Sequence, residues 1–181
     1  MRRKIFIFTI SILVLVSCSN KNTKLVTYGK EKEEIISGDT SEVKENKEVA
    51  DFKSVNITSV STVDLKIGPE SSVSVDGLKA YVDAQHIFTD NGVLTVLFNS
   101  DNPVKRNTHL NITAPSLDAI NLSRCGILTV HGNDINVKTF SLYLDKINIA
   151  KINSKIISDR TIIKTHNTMY SSIMTDCNDL L

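Results

Sequence analysis

The sequence has no tryptophan, three prolines, seven glycines, three cysteines and only 6% aromatic residues. Neither sign of charge dominates, because 21 basic residues stand against 20 acidic ones, and this balance excludes the basic surface of a nucleic-acid-binding protein. The chain lacks the repeated long apolar runs of a polytopic membrane protein, and its 41% hydrophobic content argues against disorder. A chain of 181 residues with this composition predicts one folded domain.

The N-terminus carries the features of an export signal. A basic triplet, residues 2–4, precedes an uncharged run over residues 5–16. As a helix this run would be about 18 Å long, too short to span a bilayer of roughly 30 Å. The pattern predicts a secretory signal peptide over residues 1–17.

The tetrapeptide Leu-Val-Ser-Cys that ends at Cys18 resembles the lipobox of bacterial lipoproteins. In such proteins the cysteine becomes the first residue of the mature chain and carries the lipid. Several acyl chains hold a protein firmly at a membrane where a single chain would not. We therefore predict an exported lipoprotein of the bacterial cell envelope, anchored in the membrane through lipid on Cys18.

Residues 18–48 are polar and mix lysines with acidic residues, so they predict a solvated tether between the lipid and the domain. Residues 49–181 are predicted to form the domain. From Asp51 onwards apolar residues recur at every second position, as at Val63, Leu65 and Ile67. Asp90-Asn91-Gly92 is a strong turn signal before a further apolar run. The domain is predicted to be all-β.

A second regularity appears when the sequence is laid against itself at a shift of 20 residues, which aligns Leu122 with Leu142 and Ile162. A period near 20 residues predicts a solenoid of short strands whose successive coils share a core. The apolar segment Met169 to Met174 is expected to fold across the end of this stack as a cap, with burial against a second subunit as the alternative.

Four stretches of the domain, residues 49–57, 73–75, 92–96 and 110–123, resemble the auto-transporter adhesin head domain family, the GIN domain. The resemblance runs from Val49 to about Thr165. It implies a right-handed β-helix-like stack and an adhesin role, and it supplies no catalytic residues. Where family members commonly carry a Ser-Gly-Ser-Gly-like corner, this chain has Ser123-Arg124-Cys125-Gly126.

The common catalytic and phosphate-binding motifs are missing from the sequence. The four histidines are scattered, and His131 with Asp134 is the one arguable metal pair, which is better explained as two exposed polar residues at a corner. We predict no metal site and no cofactor. Cys125 and Cys177 form an even pair in an exported protein, so a disulfide is possible on that ground, but two free thiols fit the repeat spacing better.

The sequence leaves two classes of function open, and a purely structural or assembly role within the envelope cannot be distinguished from the first of them by sequence. The first is a binding module for a glycan, a matrix component or a partner protein, whose binding residues stay unknown. Its candidate surface is a stacked face of Ser, Thr and Asn comprising Thr113, Asn121, Ser123, Thr139, Ser141, Asn148 and Thr161.

The alternative is a β-helix carbohydrate-active enzyme, either a lyase or a hydrolase. Its candidate stripe is Asp118, Asp145, Lys146, Asp159 and Arg160. We favour binding over catalysis, because charged corners also serve to keep a solenoid soluble.

Overall fold

The computed structural model describes residues 39–98 and 108–180, with side chains as far as residue 173. The predicted signal peptide, Cys18 and the tether up to residue 38 lie outside the described residues. All described residues belong to one compact unit, residues 33–181.

Short strands dominate the described chain and confirm the all-β prediction. The strands are β1 (Glu42–Lys47), β2 (Ser54–Thr58), β3 (Thr62–Ile67), β4 (Ser72–Leu78), β5 (Gln85–Asp90), β6 (Val93–Phe98), β7 (Thr108–Ala114), β8 (Ala119–Ser123), β9 (Ile127–Gly132), β10 (Ile135–Asp145), β11 (Ile149–His166) and β12 (Tyr170–Leu180). Their alternation follows the sequence pattern: in β3, Val63, Leu65 and Ile67 are buried while the residues between them face outward. Within the described ranges the one helix, α1 (Lys79–Asp83), is five residues long, and no helix there could span a membrane.

The strands form one nearly closed, barrel-like sheet around a common core. Its strand order is β1-β4-β7-β3-β9-β11-β10-β8-β2-β6-β5, and β12 pairs with β11. Pairing is parallel from β7 through to β6, whereas β1, β4 and β5 at the two ends pair in antiparallel fashion. Some strands that follow one another in sequence, such as β8 and β9, are not neighbours in this order, whereas β5 and β6, β10 and β11, and β11 and β12 pair directly.

The repeat spacing differs from the predicted 20 residues. Leu144, not Leu142, lies opposite Leu122, at a spacing of 22 residues. Leu142 lies opposite Ile120 and opposite Ile163, which follows it by 21 residues. Because side chains alternate between the two faces of a strand, a two-residue slip preserves the inward face and leaves the apolar pattern intact. The predicted contact series Leu122–Leu142–Ile162 is therefore wrong, although Leu122 and Leu142 are both buried.

A shift of 20 residues would put Arg160 opposite the buried Phe140, and the corrected register removes this conflict. The residue opposite Phe140 in β11 is Thr161, and Arg160 lies opposite the exposed Thr139. Thr161 is fully buried, and its hydroxyl lies 2.6 Å from Ser158 Oγ, so the two polar groups satisfy each other inside the core.

The predicted tether is wrong for residues 42–47, because this stretch is strand β1 and pairs with β4. Val43 packs against the core and shares the less exposed face of β1 with Glu45 and Lys47, whereas Glu42, Lys44 and Asn46 are exposed. Glu45 takes part in ion pairs with Lys47 and Lys79. Charged side chains are typical of an edge strand, where they discourage association with another sheet. The strand was not predicted because Val43 alone is too weak an apolar pattern to indicate one.

The predicted cap over Met169 to Met174 is also wrong. This segment leads into β12, which pairs in parallel with β11 and so extends the sheet instead of crossing its end. Met169 is 82% and Tyr170 55% exposed, while Ile173 is partly buried against the core. Residues 169–172 are all exposed, so they do not cover the apolar end of the domain.

Candidate functional site

Four corners, each at the end of a strand, share the same backbone conformation. Ser59, Arg124, Lys146 and Asn167 all have positive φ, between 50° and 62°. The N–H groups of the first three donate to the carbonyl oxygens of Ser123, Asp145 and His166 on the neighbouring strands, at 2.8 to 3.0 Å. The corner at Arg124 corresponds to the predicted Ser123-Arg124-Cys125-Gly126 corner. Arg124 stands where the family pattern has a glycine, the residue that adopts this conformation most readily.

Cys125 and Gly126 complete the corner and face inward. Cys125 is a free, buried thiol, and burial raises its pKa to about 11. A Cβ atom on Gly126 would lie 2.4 Å from the carbonyl oxygen of Ser61, so a glycine is required there. Free Cys125 agrees with the prediction, whereas the side chain of Cys177 lies outside the described part of the chain.

Ser123, Asp145 and His166 lie side by side on three neighbouring strands. Asp145 is in the middle: its Oδ1 lies 2.8 Å from His166 Nδ1, and Ser123 Oγ lies 3.4 Å from its Oδ2. The hydrogen bond with His166 holds the pKa of Asp145 below its ordinary value. A Ser-His-Asp hydrolase needs the imidazole between the hydroxyl and the carboxylate, so this row does not form a catalytic triad.

The predicted acidic stripe does not assemble. Asp118 precedes β8, whereas Asp145 lies opposite Ser123 at the far end of β8. About 17 Å of strand separates these two positions. Asp159 lies seven residues before His166, the partner of Asp145, or about 23 Å along β11. Glycosidase carboxyl groups lie roughly 5–9.5 Å apart, so these residues, with Lys146 and Arg160, do not form the predicted catalytic site.

The predicted Ser/Thr/Asn face is split between different parts of the sheet. Asn121, Ser123 and Ser141 do share the outward side of β8 and β10. Thr113, however, lies on β7, from which four strands separate β8 in the sheet order. Thr161 is buried, and Asn148 lies at the corner after β10. The seven residues do not form one binding surface.

His131 pairs with Asp64, which the sequence did not suggest. Its Nε2 lies 2.7 Å from Asp64 Oδ1 on the neighbouring strand β3, and the proposed partner Asp134 is an exposed residue after β9. Within residues 39–98 and 108–180 no group of three His, Cys, Asp or Glu side chains is placed to hold a metal ion.

A groove of about 510 Å³ lies where β1, β4, β7 and β3 run side by side. The residues that line it are Glu42, Val43, Lys44, Ser61, Thr62, Asp76, Gly77, Thr108 and His109. Lys44, Asp76, His109 and Thr62 lie opposite one another on the four strands. Because Gly77 lies opposite Thr108, no side chain from β4 covers the threonine.

Two polar atoms of this groove lack a hydrogen-bond partner among the described residues: Asp76 Oδ1 and Thr108 Oγ1. The other carboxylate oxygen, Asp76 Oδ2, accepts a hydrogen bond from Asn111 at 3.1 Å, which orients the carboxylate. Lys44 Nζ is 3.9 Å from Oδ1, an ion pair without a hydrogen bond. Thr108 is 1% exposed. Both atoms are buried, and a buried polar atom without a partner costs free energy.

Sequence reasoning missed this groove for an identifiable reason. Its residues come from four strands that are distant in sequence, and two of them, Glu42 and Lys44, belong to the segment predicted as tether. His109 was considered only as a metal ligand. The one available signal was the alternation of residues 42–49, with Val43 and Val49 as apolar positions.

The family described as "Putative auto-transporter adhesin, head GIN domain" matches residues 51–167. No curated protein matches the sequence.

Three solved structures illustrate the similarity, and each is described as a "putative adhesin". The one from Bacteroides fragilis NCTC 9343 is 10% identical with a TM-score of 0.42, over 77% of this chain and 95% of that one. That from Parabacteroides distasonis ATCC 8503 is 14% identical with a TM-score of 0.41, over 79% and 78%. That from Parabacteroides merdae ATCC 43184 is 10% identical with a TM-score of 0.41, over 80% and 96%.

The family match covers well over half of the chain and coincides with the stretch that resembled the GIN domain in sequence. The protein therefore belongs to the auto-transporter adhesin head GIN domain family.

Proposed function

We propose that this protein is a lipid-anchored bacterial cell-envelope protein that acts as an adhesin-like binding module for a glycan, a matrix component or a partner protein. Membership of an adhesin family supports a place at the cell surface or envelope. The lipobox-like sequence that ends at Cys18 supports the lipid anchor. The right-handed winding expected of the family is part of the same proposal, and parallel pairing at spacings of 21 and 22 residues supports it.

The observation that carries the binding function is the groove between β1 and β3. It is built on paired strands, so its walls are held by main-chain hydrogen bonds. The exposed side chains of Glu42, Lys44 and His109 line it. A preorganised concave surface with a few converging polar groups is typical of a ligand site.

The anchor is tested by labelling cells with a fatty acid that can be detected on protein. The wild type should incorporate the label and fractionate with membranes, and Cys18→Ala should do neither, because the acyl chains have no attachment point. Cys125→Ala is the matched control and should stay labelled, since that thiol is buried in the domain. Label on Cys18→Ala would exclude the lipobox interpretation.

The binding function is tested by presenting the purified full chain to arrays of glycans and matrix proteins, and by measuring adherence of whole cells that display it. We expect saturable binding to at least one class of ligand. A full survey without binding, together with turnover of a polysaccharide, would instead favour the enzyme alternative.

A further inference from the structure

We infer that one edge of the domain, the corner ridge, is a docking surface for a membrane that contains anionic phospholipid. The ridge runs along the corners that connect β8 to β9, β10 to β11 and β11 to β12. The inference rests on the proposed lipid anchor only for bringing the domain close to a membrane. The ridge consists of six residues: Arg124, Ile127, Lys146, Ile149, Met169 and Tyr170.

The three corners lie directly beside one another. Asn148 N donates to Gly126 O and Met169 N donates to Ile147 O, each at 3.1 Å, so main-chain hydrogen bonds join each corner to the next. On one side of the corners β8 pairs with the end of β10, and on the other side β9 pairs with the start of β11. Both sides turn their apolar residues toward one core, so the corners between them form a convex outer edge.

The apolar side chains of the ridge form a row. Ile127, Ile149 and Tyr170 lie opposite one another on three adjacent strands, spaced by about 4.8 Å. Ile127 is 39% and Tyr170 55% exposed, and Ile149 is half-buried between them. Met169 precedes Tyr170 and, at 82%, is the most exposed large apolar side chain in the described ranges. Single exposed apolar residues are ordinary, whereas four in adjacent positions indicate an interaction surface.

Two basic side chains accompany this row, each three residues before one of its isoleucines. Arg124 precedes Ile127 and Lys146 precedes Ile149, at the equivalent position of adjacent corners, and both basic residues are exposed. The ridge therefore places positive charge directly beside apolar surface, although the charges of the whole chain are balanced.

The surroundings of the ridge leave this positive charge in place. Two carboxylates lie nearby, and each already pairs with a histidine: Asp145 with His166 at 2.8 Å, and Asp64 with His131 at 2.7 Å. Lys151, which follows Ile149 by two residues, is exposed and adds a further positive charge.

This combination of side chains suits a membrane surface. Lysine and arginine can place their methylene groups along apolar surface while the charged ends contact lipid phosphates. Tyrosine is enriched at membrane–water interfaces, where its ring lies at the level of the headgroups. Proteins that lie on anionic membranes combine inserted apolar side chains with basic ones in this way. A soluble acidic polymer would contact the basic residues and leave the apolar row in water.

The proposed anchor keeps the ridge within reach of a membrane. Strand β1 begins at Glu42, 24 residues after Cys18, and a stretch of that length spans at most roughly 80 Å. Attachment through Cys18 would raise the effective concentration of the ridge at the lipid surface. A weak contact would then suffice to hold the domain against the membrane.

The test measures co-sedimentation of the unlipidated protein with vesicles. The mature chain from residue 18 is used with Cys18→Ala, which removes the lipid and leaves the compact unit of residues 33–181 unchanged. Vesicles of phosphatidylcholine mixed with phosphatidylglycerol are compared with vesicles of phosphatidylcholine alone. We expect binding to the anionic vesicles, weakened by added salt, and less or no binding to the zwitterionic ones.

Two double variants remove the two kinds of contact. Arg124→Gln with Lys146→Gln should weaken binding about 30-fold, because both electrostatic contacts with anionic lipid are lost. Met169→Ala with Tyr170→Ala should weaken it about tenfold, because less apolar surface leaves water on binding. All four side chains are exposed, so thermal stability should change little.

Matched controls place the same kinds of change away from the ridge. Lys53→Gln with Lys138→Gln removes two exposed positive charges, one just before β2 and one in the first half of β10. Phe88→Ala removes a 46% exposed aromatic ring from β5, which four strands separate from β11 in the sheet order. These variants should bind anionic vesicles as the parent chain does.

The inference fails if the two kinds of vesicle bind equally or not at all, or if the ridge variants bind like the parent chain. It also fails if the ridge variants convert a dimer into a monomer in analytical ultracentrifugation without any effect on vesicle binding, because the ridge would then join two copies of the chain. Lipid labelling of Cys18 in cells without vesicle binding by the unlipidated chain would leave the proposed anchor standing and exclude this surface alone.

Discussion

At the scale of single residues, the repeated corner shows how the chain tolerates strain. Arg124 and Lys146 adopt φ of 56° and 55°, in the left-handed region that ordinary side chains disfavour by roughly 1–2 kcal/mol. Hydrogen bonds between successive layers hold this conformation: Arg124 N donates to Asp145 O, and Lys146 N donates to His166 O. The backbone conformation of the corner is thus determined by hydrogen bonds to the neighbouring strands more than by the residues at the corner.

Replacing Lys146 with glycine should therefore stabilise the protein. We expect an increase of about 1 kcal/mol in the free energy of unfolding, because glycine adopts positive φ without steric cost. Urea unfolding measures the change. Lys151→Gly, at an exposed position inside β11, is the matched control and should destabilise by about 0.5–1 kcal/mol. Equal destabilisation by both variants would contradict the importance of the positive φ.

The thiol of Cys125 should be chemically inert in the folded protein. Its burial raises the pKa from the ordinary 9.0 to about 11, so little reactive thiolate exists near neutral pH. Alkylation with iodoacetamide, followed at the Cys125 peptide by mass spectrometry, should be slow in buffer and rapid in urea. Equally rapid alkylation in both would show that the site is accessible.

The same pKa shift predicts a loss of stability at high pH. Between pH 9.0 and about 11 the unfolded thiol loses its proton while the folded thiol retains it, so stability falls as the pH rises through this window. Thermal unfolding of the wild type should therefore decline more steeply there than that of Cys125→Ala.

The interaction of Asp145 with His166 can be measured directly. The hydrogen bond from His166 lowers the pKa of Asp145 from its ordinary 3.8, so His166→Ala should return the carboxyl pKa toward that value in an NMR titration. The stabilising contribution of this contact is present above the ordinary pKa and lost as the pH falls through the lowered one. His131→Ala, which removes the partner of Asp64, should leave the Asp145 pKa unchanged.

At the scale of elements, β10 is the strand in which packing from both sides is clearest. Leu142 is 1% exposed and lies between Ile120 of β8 and Ile163 of β11. Leu142→Ala should lower the free energy of unfolding by about 2–5 kcal/mol, because the paired strands on each side limit collapse into the cavity.

Tyr143→Ala serves as the control for this strand. Tyr143 follows Leu142 but points outward and is 44% exposed, so its truncation should change stability by no more than about 0.5 kcal/mol. Chemical denaturation measures the change in the free energy of unfolding for both variants. A similar decrease for Leu142→Ala and Tyr143→Ala would contradict the assignment of Leu142 to the inward face of β10.

At the scale of the whole molecule, the buried residues form one continuous cluster that extends from Phe52 to Ile156. The long strands β10 and β11 each pair with more than one neighbour and so connect the layers. We therefore expect cooperative unfolding, although repeat proteins can unfold layer by layer. Urea transitions followed by circular dichroism and by tyrosine fluorescence should coincide. Separate midpoints for the two probes would indicate that the layers unfold independently.

The sequence by itself determined the strand-rich class, the inward faces of strands such as β3 and the family. These features depend on the alternation of neighbouring residues, which is local. The register was decided only by the tertiary structure. Between β8 and β10 the spacing is 22, a two-residue slip that leaves the alternating pattern unchanged, whereas between β10 and β11 it is 21, which places the polar Thr161 inward opposite Phe140. The groove also depends on the tertiary structure. It brings together Lys44, Asp76, His109 and Thr62 from strands that are distant in sequence. Whether a polar atom there has a hydrogen-bond partner depends on neighbours that only the folded sheet supplies.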